Sequence, residues 1–158
     1  MDLKQYKLNN NWILWFHDKK NNWNLNGYKK LLEFNFLEDF LYFVNNYKLI
    51  GELLANHYFI MKNDIKPIWE DKNNKNGGCI SIKINNFNAE NIWNKLCFYI
   101  LGNNIPNNNN INGISICIKN LNYTIIHIWL KEKDIKIINF IAELINESII
   151  YKKFEPEY

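Results

Sequence analysis

The sequence predicts an α+β domain in which an antiparallel sheet carries about three helices packed on one face. Three observations lead there. Short runs such as NWILWF and CISIKI alternate their side chains with a period of two, as strands do. Longer runs repeat apolar residues three and four positions apart, as helices do. Several neighbouring strands are joined by connections shorter than the dozen or more residues of a parallel crossover, so they are expected to pair antiparallel. With 158 residues, 47% of them hydrophobic and 16% aromatic, the chain is expected to fold as one domain with a sizeable core. No internal repeat and no domain boundary is visible.

Asn11–Phe16 reads as the first strand, with Trp12, Leu14 and Phe16 on one face and Ile13 and Trp15 on the other. The polar loop HDKKNNWNLNG follows and carries Trp23. Asn35 with Glu38 three residues later makes a helix start. That helix is expected over about Phe36–Tyr47, with Leu37, Phe40, Leu41 and Val44 on its inner stripe. His57–Met61 and Cys79–Ile84 read as strands flanking the loop KPIWEDKNNKNGG. A second helix from Asn88 gathers Ile92, Trp93, Leu96, Tyr99 and Ile100, and Gly102 stands where a C-terminal cap belongs. Ile114–Ile118 and Ile125–Leu130 are expected to form a hairpin around Lys119–Thr124. Asp134 caps a third helix to about Asn146, with Ile135, Ile138, Ile141, Ala142 and Ile145 facing inward. Ser148–Lys153 is the last strand. With the helices on one face, the other face of the sheet is left without a helical cover.

Composition narrows the function. The formal net charge of +3 permits an anionic ligand but does not suggest wrapping of duplex nucleic acid. All 19 basic residues are Lys, and roughly one residue in five is Asn, a bias that follows AT-rich codons. Cys79, Cys97 and Cys117 are odd in number and sit in apolar contexts, as reduced core cysteines do. No run approaches the ~18 apolar residues of a membrane helix, and a cytoplasmic protein without membrane partners is expected. His17, His57 and His127 stand apart, with no HExxH and no CxxC, so no metal or cofactor is expected. Gly77–Gly78 lacks the frame of a phosphate loop, and none of the three serines lies in a GxSxG elbow. Glu70 and Asp71 are adjacent carboxylates, but neighbours in sequence tend to diverge. An enzyme is not expected.

Trp23 and Trp69 are the two tryptophans set in polar loops. Two readings are open for them. Each ring lids the core, or the two loops converge on the uncovered face and hold a planar ligand between them. Stacking of a base on an aromatic ring contributes about 1–3 kcal/mol, and a cationic ring adds roughly 0.5–2 kcal/mol. Glu70 then acquires a role, because guanine alone among the nucleobases offers two adjacent donors, N1–H and N2–H2, to one carboxylate. A guanine that is also positively charged is 7-methylguanine, the messenger-RNA cap.

From about Tyr6 to Phe154 the chain resembles the eukaryotic translation initiation factor 4E family, the cap-binding proteins. The matching pieces are NWILWF with Trp12 and Trp15, WNLN with Trp23, LEDF at Leu37–Phe40 and PIWED at Pro67–Asp71. They continue with Gly77–Gly78, IWNKL with Trp93, Gly102, and HIW ending at Trp129. The resemblance implies a curved antiparallel sheet of about eight strands with three helices on its convex back and the cap bound in front. It implies that Trp23 and Trp69 stack the base, that Glu70 accepts from guanine N1 and N2, and that Trp129 contacts the N7-methyl group. Lys119 falls where the family has an Arg on the cap triphosphate. The implied partners are capped messenger RNA and, on the convex face, a scaffold protein of the factor 4G type or a co-adapted equivalent; a monomer is expected.

The departures are specific. The family's second phosphate-binding Lys aligns with Ile125, and its Arg after Gly-Gly is Cys79. Lys131 or Lys133 is a candidate substitute. A Lys in place of an Arg gives up bidentate phosphate geometry. On the convex face, the family's scaffold-binding Trp and Leu-Glu-x-x-Leu patch become Leu41, then Asn94, Lys95 and Phe98, beside Leu37. A helix-binding face with a non-standard, co-adapted partner is therefore expected. Three functions remain open: an initiation factor that recruits capped messages, a homologue that sequesters them, and a general single-stranded RNA-binding module indifferent to the cap methyl. The AT-biased composition and altered partner face hint at an intracellular parasite or a large DNA virus as the source.

Overall fold

A computed structural model describes residues 5–18, 23–46 and 56–155. Seven strands are present among them: β1 (Lys7–His17), β2 (Lys29–Phe36), β3 (His57–Lys62), β4 (Gly78–Asn85), β5 (Ile111–Ile118), β6 (Tyr123–Leu130) and β7 (Ile149–Lys153). Three helices accompany them: α1 (Leu37–Asn45), α2 (Asn86–Leu101) and α3 (Ile135–Ile145). The strands form one sheet in the order β2-β1-β3-β5-β6-β4-β7, with every neighbouring pair antiparallel. Where the resemblance implied about eight strands, the described residues hold seven.

The pleat divides the sheet into two faces. Toward the helices point Trp12 and Leu14 of β1, Tyr58 and Ile60 of β3, Ile80, Ile82 and Ile84 of β4, and Ile126, Ile128 and Leu130 of β6. They pack against Phe40 and Phe43 of α1, Trp93, Leu96 and Ile100 of α2, and Ile137 and Ile141 of α3. Toward the open face point Ile13, Trp15, Phe59, Met61 and Trp129, which form a second, smaller apolar cluster with Ile65. The expected parity of Trp12 and Leu14 against Ile13 and Trp15 holds.

Several element boundaries differ from expectation. β2 went unread because its alternation is blurred by Leu31 beside Leu32 and by Lys29 and Lys30 at its start; charged ends are a common feature of edge strands. The N-cap of α1 is Phe36, which offers no side-chain hydrogen bond, rather than Asn35. Glu38 instead accepts from the backbone N–H of Tyr6 at 2.8 Å, tying the start of β1 to the helix. α1 ends at Asn45 with Asn46 as its C-cap, short of the expected Tyr47, which itself lies outside the described residues. Asn85 caps α2 by accepting from Phe87 N–H. Asp134 caps α3 as expected, accepting from Lys136 and Ile137 N–H at 3.0 and 3.2 Å. Ile135, expected inside, is 58% exposed, and Ile137 takes the buried place. No described helix is long and apolar enough to cross a membrane.

Candidate ligand site on the open face

A cavity of about 360 Å³ opens on the face without helices. Its floor follows from strand parity. His57 and Phe59 from β3, and His127 and Trp129 from β6, are alternate residues that project to this side. Its walls come from the loops: Trp23 and Tyr28 from the segment after β1, Ile68, Trp69 and Glu70 from the segment after β3, and Phe154 after β7. Four residues singled out in the sequence, Trp23, Trp69, Glu70 and Trp129, thus converge on one cavity from three separate segments.

Each is held differently. Trp23 is 54% exposed and lies flat on the imidazole of His17, with ring centroids 3.9 Å apart and planes at 8°. Tyr28 meets both rings edge-on. Trp129 is buried, packs against Phe59 and Phe154, and donates from its indole N–H to Ser115 Oγ at 3.0 Å. Trp69 is half-buried and Glu70 exposed. The carboxylate of Glu70 reaches the cavity electrostatically: burial, and then the Glu70 charge, push the Tyr28 phenol up to about 12. A neutral Tyr28 hydroxyl therefore faces this site at ordinary pH.

The loop presenting Trp69 and Glu70 is built from polar residues. Asp71 turns back into it, accepting from the backbone N–H groups of Lys66 at 2.9 Å and Asn73 at 2.8 Å. The fully buried Asn74 donates its amide to the carbonyls of Lys66 at 3.0 Å and Ile68 at 2.9 Å. Asn112 of β5 then donates to Asn73 O and Asn74 Oδ1 at 2.8 and 2.9 Å, fastening the loop to the sheet. Asp71 is thereby a structural acceptor rather than half of an acid/base pair with Glu70. At the end of the loop, a Cβ on Gly77 would stand 1.9 Å from the carbonyl oxygen of Leu130, so only glycine lets the chain pass this close to β6.

Lys119 does not line the cavity; it stands exposed just past β5, close enough for its charge to act on His127. The helix-side residues fall into place on the opposite face. Leu37, Leu41 and Asn94 are half-buried, and Phe98 is 36% exposed with its ring edge-on to Phe40 at 5.5 Å. Lys95 donates to the carbonyl of Leu144 at 3.1 Å. Sequence reasoning missed Tyr28, His57, Phe59, His127 and Phe154. Counting back by twos from Trp129 would have found His127, and back by twos from Met61 would have found Phe59 and His57.

Fold and site together define a class: α+β proteins with helices behind one antiparallel sheet and an aromatic, acid-edged cavity in front of it. A sequence profile of the eukaryotic initiation factor 4E family matches residues 7–157, and the chain belongs to that family. A factor 4E homolog from Acanthamoeba polyphaga mimivirus is 30% identical over 139 residues, which is 72% of this chain and 51% of that protein. Human factor 4E is 36% identical over 84 residues, 51% of this chain and 38% of the human protein. The chain thus spans about half the length, or less, of these curated relatives. Among solved structures, C. elegans factor 4E-3 with the 4E-binding protein Mextli and a cap analog superimposes with a TM-score of 0.83 at 23% identity, covering 95% of this chain and 93% of that one. Ascaris suum factor 4E-3 with m7G cap superimposes with a TM-score of 0.82 at 20% identity, covering 98% and 94%. The expected curved antiparallel sheet with three helices is the fold these structures share with the chain.

Proposed function

We propose that this chain binds the 7-methylguanosine cap of messenger RNA and acts in translation initiation by presenting capped messages to a scaffold partner. The base stacks between Trp23 and Trp69, with Glu70 accepting from guanine N1–H and N2–H2 and Trp129 beside the N7-methyl group. Lys119 serves the triphosphate. The observation that carries this reading is the convergence of Trp23, Trp69, Glu70 and Trp129 on one cavity of about 360 Å³, a volume in the range of small-molecule sites. One face of the Trp23 indole is already covered by His17, so the ligand stacks on the other. Two structural relatives, from C. elegans and Ascaris suum, were solved with a cap or cap analog, which supports the same ligand here.

The helix side supplies the partner surface, through Leu37, Leu41, Asn94, Lys95 and Phe98. Tyr42, 68% exposed on the same helix as Leu41, extends the apolar surface there. Relatives from C. elegans and a schistosome were solved with 4E-binding proteins. Asn94 and Lys95 make the partner's motif a non-standard one, and sub-micromolar binding of an ordinary Tyr-x4-Leu-apolar peptide would refute that point. The deciding test of the main reading is quenching of tryptophan fluorescence during titration with 7-methyl-GTP and, separately, GTP. Strong quenching by the methylated nucleotide with little by GTP is expected. Equal quenching would favour a general single-stranded RNA module, and none would remove the cap reading.

A further inference from the structure

Another cavity lies at the end of the sheet where β1 begins and β2 and β3 stop. It measures about 730 Å³, about twice the base cavity, and has no lining residue in common with it. A break in register opens it. Lys7 of β1 pairs with Phe36 and Trp12 with Phe34, so five steps along β1 answer two along β2. The surplus residues bulge, and bulges re-aim side chains. Pairing of β1 with β3 begins only at Trp12, opposite Lys62. Asn9, Asn10 and Asn11 therefore stand at the rim, joined there by Asn35 and Asn63. The side-chain amides of these five make no hydrogen bond among the described residues.

Positive charge gathers at the same place. Lys7, Lys62 and Lys72 line the cavity against a single acid, Asp64. Lys62 is the half-buried one. Its ammonium donates to the carbonyl of Asn108 at 2.9 Å and lies 5.8 Å from the centroid of the Trp12 ring. Burial pushes that ammonium down to about 8. An ammonium has three N–H donors, and one carbonyl with an indole face replaces only part of the water it has lost. A lysine so enclosed is ordinarily paired with a carboxylate, and among the described residues none pairs with this one. Two buried atoms of its neighbours, Trp12 Nε1 and Asn108 Oδ1, are also without hydrogen-bond partners there.

What lines the cavity selects the ligand. No aromatic residue is among the described residues that line it, so a nucleobase would find no ring to stack on. Lysines act on phosphate as point charges. Amides both donate and accept, as hydroxyl groups require of a partner. The volume is in the range of small-molecule sites. We propose that this cavity binds a small phosphorylated polyol such as a sugar phosphate, its phosphate on Lys7, Lys62 and Lys72 and its hydroxyls on the rim amides. The inference does not rest on the base-binding reading.

The whole chain is titrated by calorimetry with inorganic phosphate, glucose 6-phosphate, glycerol 3-phosphate, glucose and a 5′-phosphorylated oligouridylate. At least one of the two phosphorylated polyols is expected to bind about tenfold more tightly than inorganic phosphate, and glucose not measurably. Lys62→Gln should weaken that binding about tenfold. Because Lys62 also bonds to Asn108, the exposed Lys72→Gln serves as a second variant and should weaken it severalfold. Asn10→Ala combined with Asn11→Ala should erase the advantage of the polyol over inorganic phosphate. Absence of binding, equal affinity for inorganic phosphate and both polyols, or affinities that neither lysine variant changes would each overturn the inference. So would displacement of the polyol by a more tightly held oligouridylate, which would assign the cavity to an RNA backbone.

Discussion

Glu70 is the residue whose chemistry is most sharply testable, because it acts on a neighbour even before a ligand arrives. Its charge is the second cause, after burial, of the raised Tyr28 pKa of about 12. Removing a negative charge eases ionisation of a nearby phenol, so Glu70→Gln should lower that pKa while burial keeps it above the ordinary value of about 10. An ultraviolet pH titration reads this directly, and an unmoved Tyr28 would place Glu70 away from the cavity. In ligand binding, Glu70→Ala should cost about 1.5–3 kcal/mol of 7-methylguanine affinity, the range for hydrogen bonds to a charged group. Trp69→Ala should cost about 1–3 kcal/mol through lost stacking. Wild-type affinity in either variant would remove that residue from the site.

At the scale of elements, the loop between β3 and β4 sets the precision of the site, and buried Asn74 is its keystone. Asn74→Ala strands the carbonyl of Lys66 and one amide donor of Asn112, and leaves the Ile68 carbonyl with only the Asp71 N–H at 3.3 Å. A buried group left unsatisfied costs about 1–3 kcal/mol, so urea denaturation should show a stability loss of that order. Cap affinity should fall as well, since Trp69 and Glu70 ride on this loop. A stability loss with intact affinity would show that the loop does not orient them. This network also marks where the sequence became illegible. Trp69, Glu70 and Trp23 stood out because tryptophans in polar loops and a carboxylate beside one are unusual, whereas Trp129, on a strand, was singled out only through the family resemblance. In a chain so rich in Asn, however, Asn74 and Asn112 looked like background, since only the folded loop reveals which amides are buried. Period-two alternation disclosed most strands but not β2, whose pattern is disturbed by adjacent leucines and edge lysines. The site histidines were hidden for a different reason: they are far apart in sequence, and only the antiparallel order, with β1 beside β3 and β5 between β3 and β6, brings them to one face.

For the molecule as a whole, the division of labour between the two faces of the sheet has a consequence for pH. The helix-backed face holds most of the apolar core, whereas the open face keeps His127 in a half-buried, cation-flanked position on a central strand. Its folded-state pKa of about 4 lies below the unfolded value of about 6.5. Between these two values the unfolded chain binds the extra proton more readily, so stability must rise with pH across that window. The contribution is fully present above about 6.5 and is lost as the pH falls toward 4. From pH 7 to pH 5 the loss attributable to His127 should be about 2 kcal/mol. Urea unfolding of the unaltered chain and of His127→Gln at both pH values isolates that share, because other titrating groups contribute to both proteins alike. The difference between the two pH responses should vanish if the imidazole is solvated and far from Lys119 and Lys152.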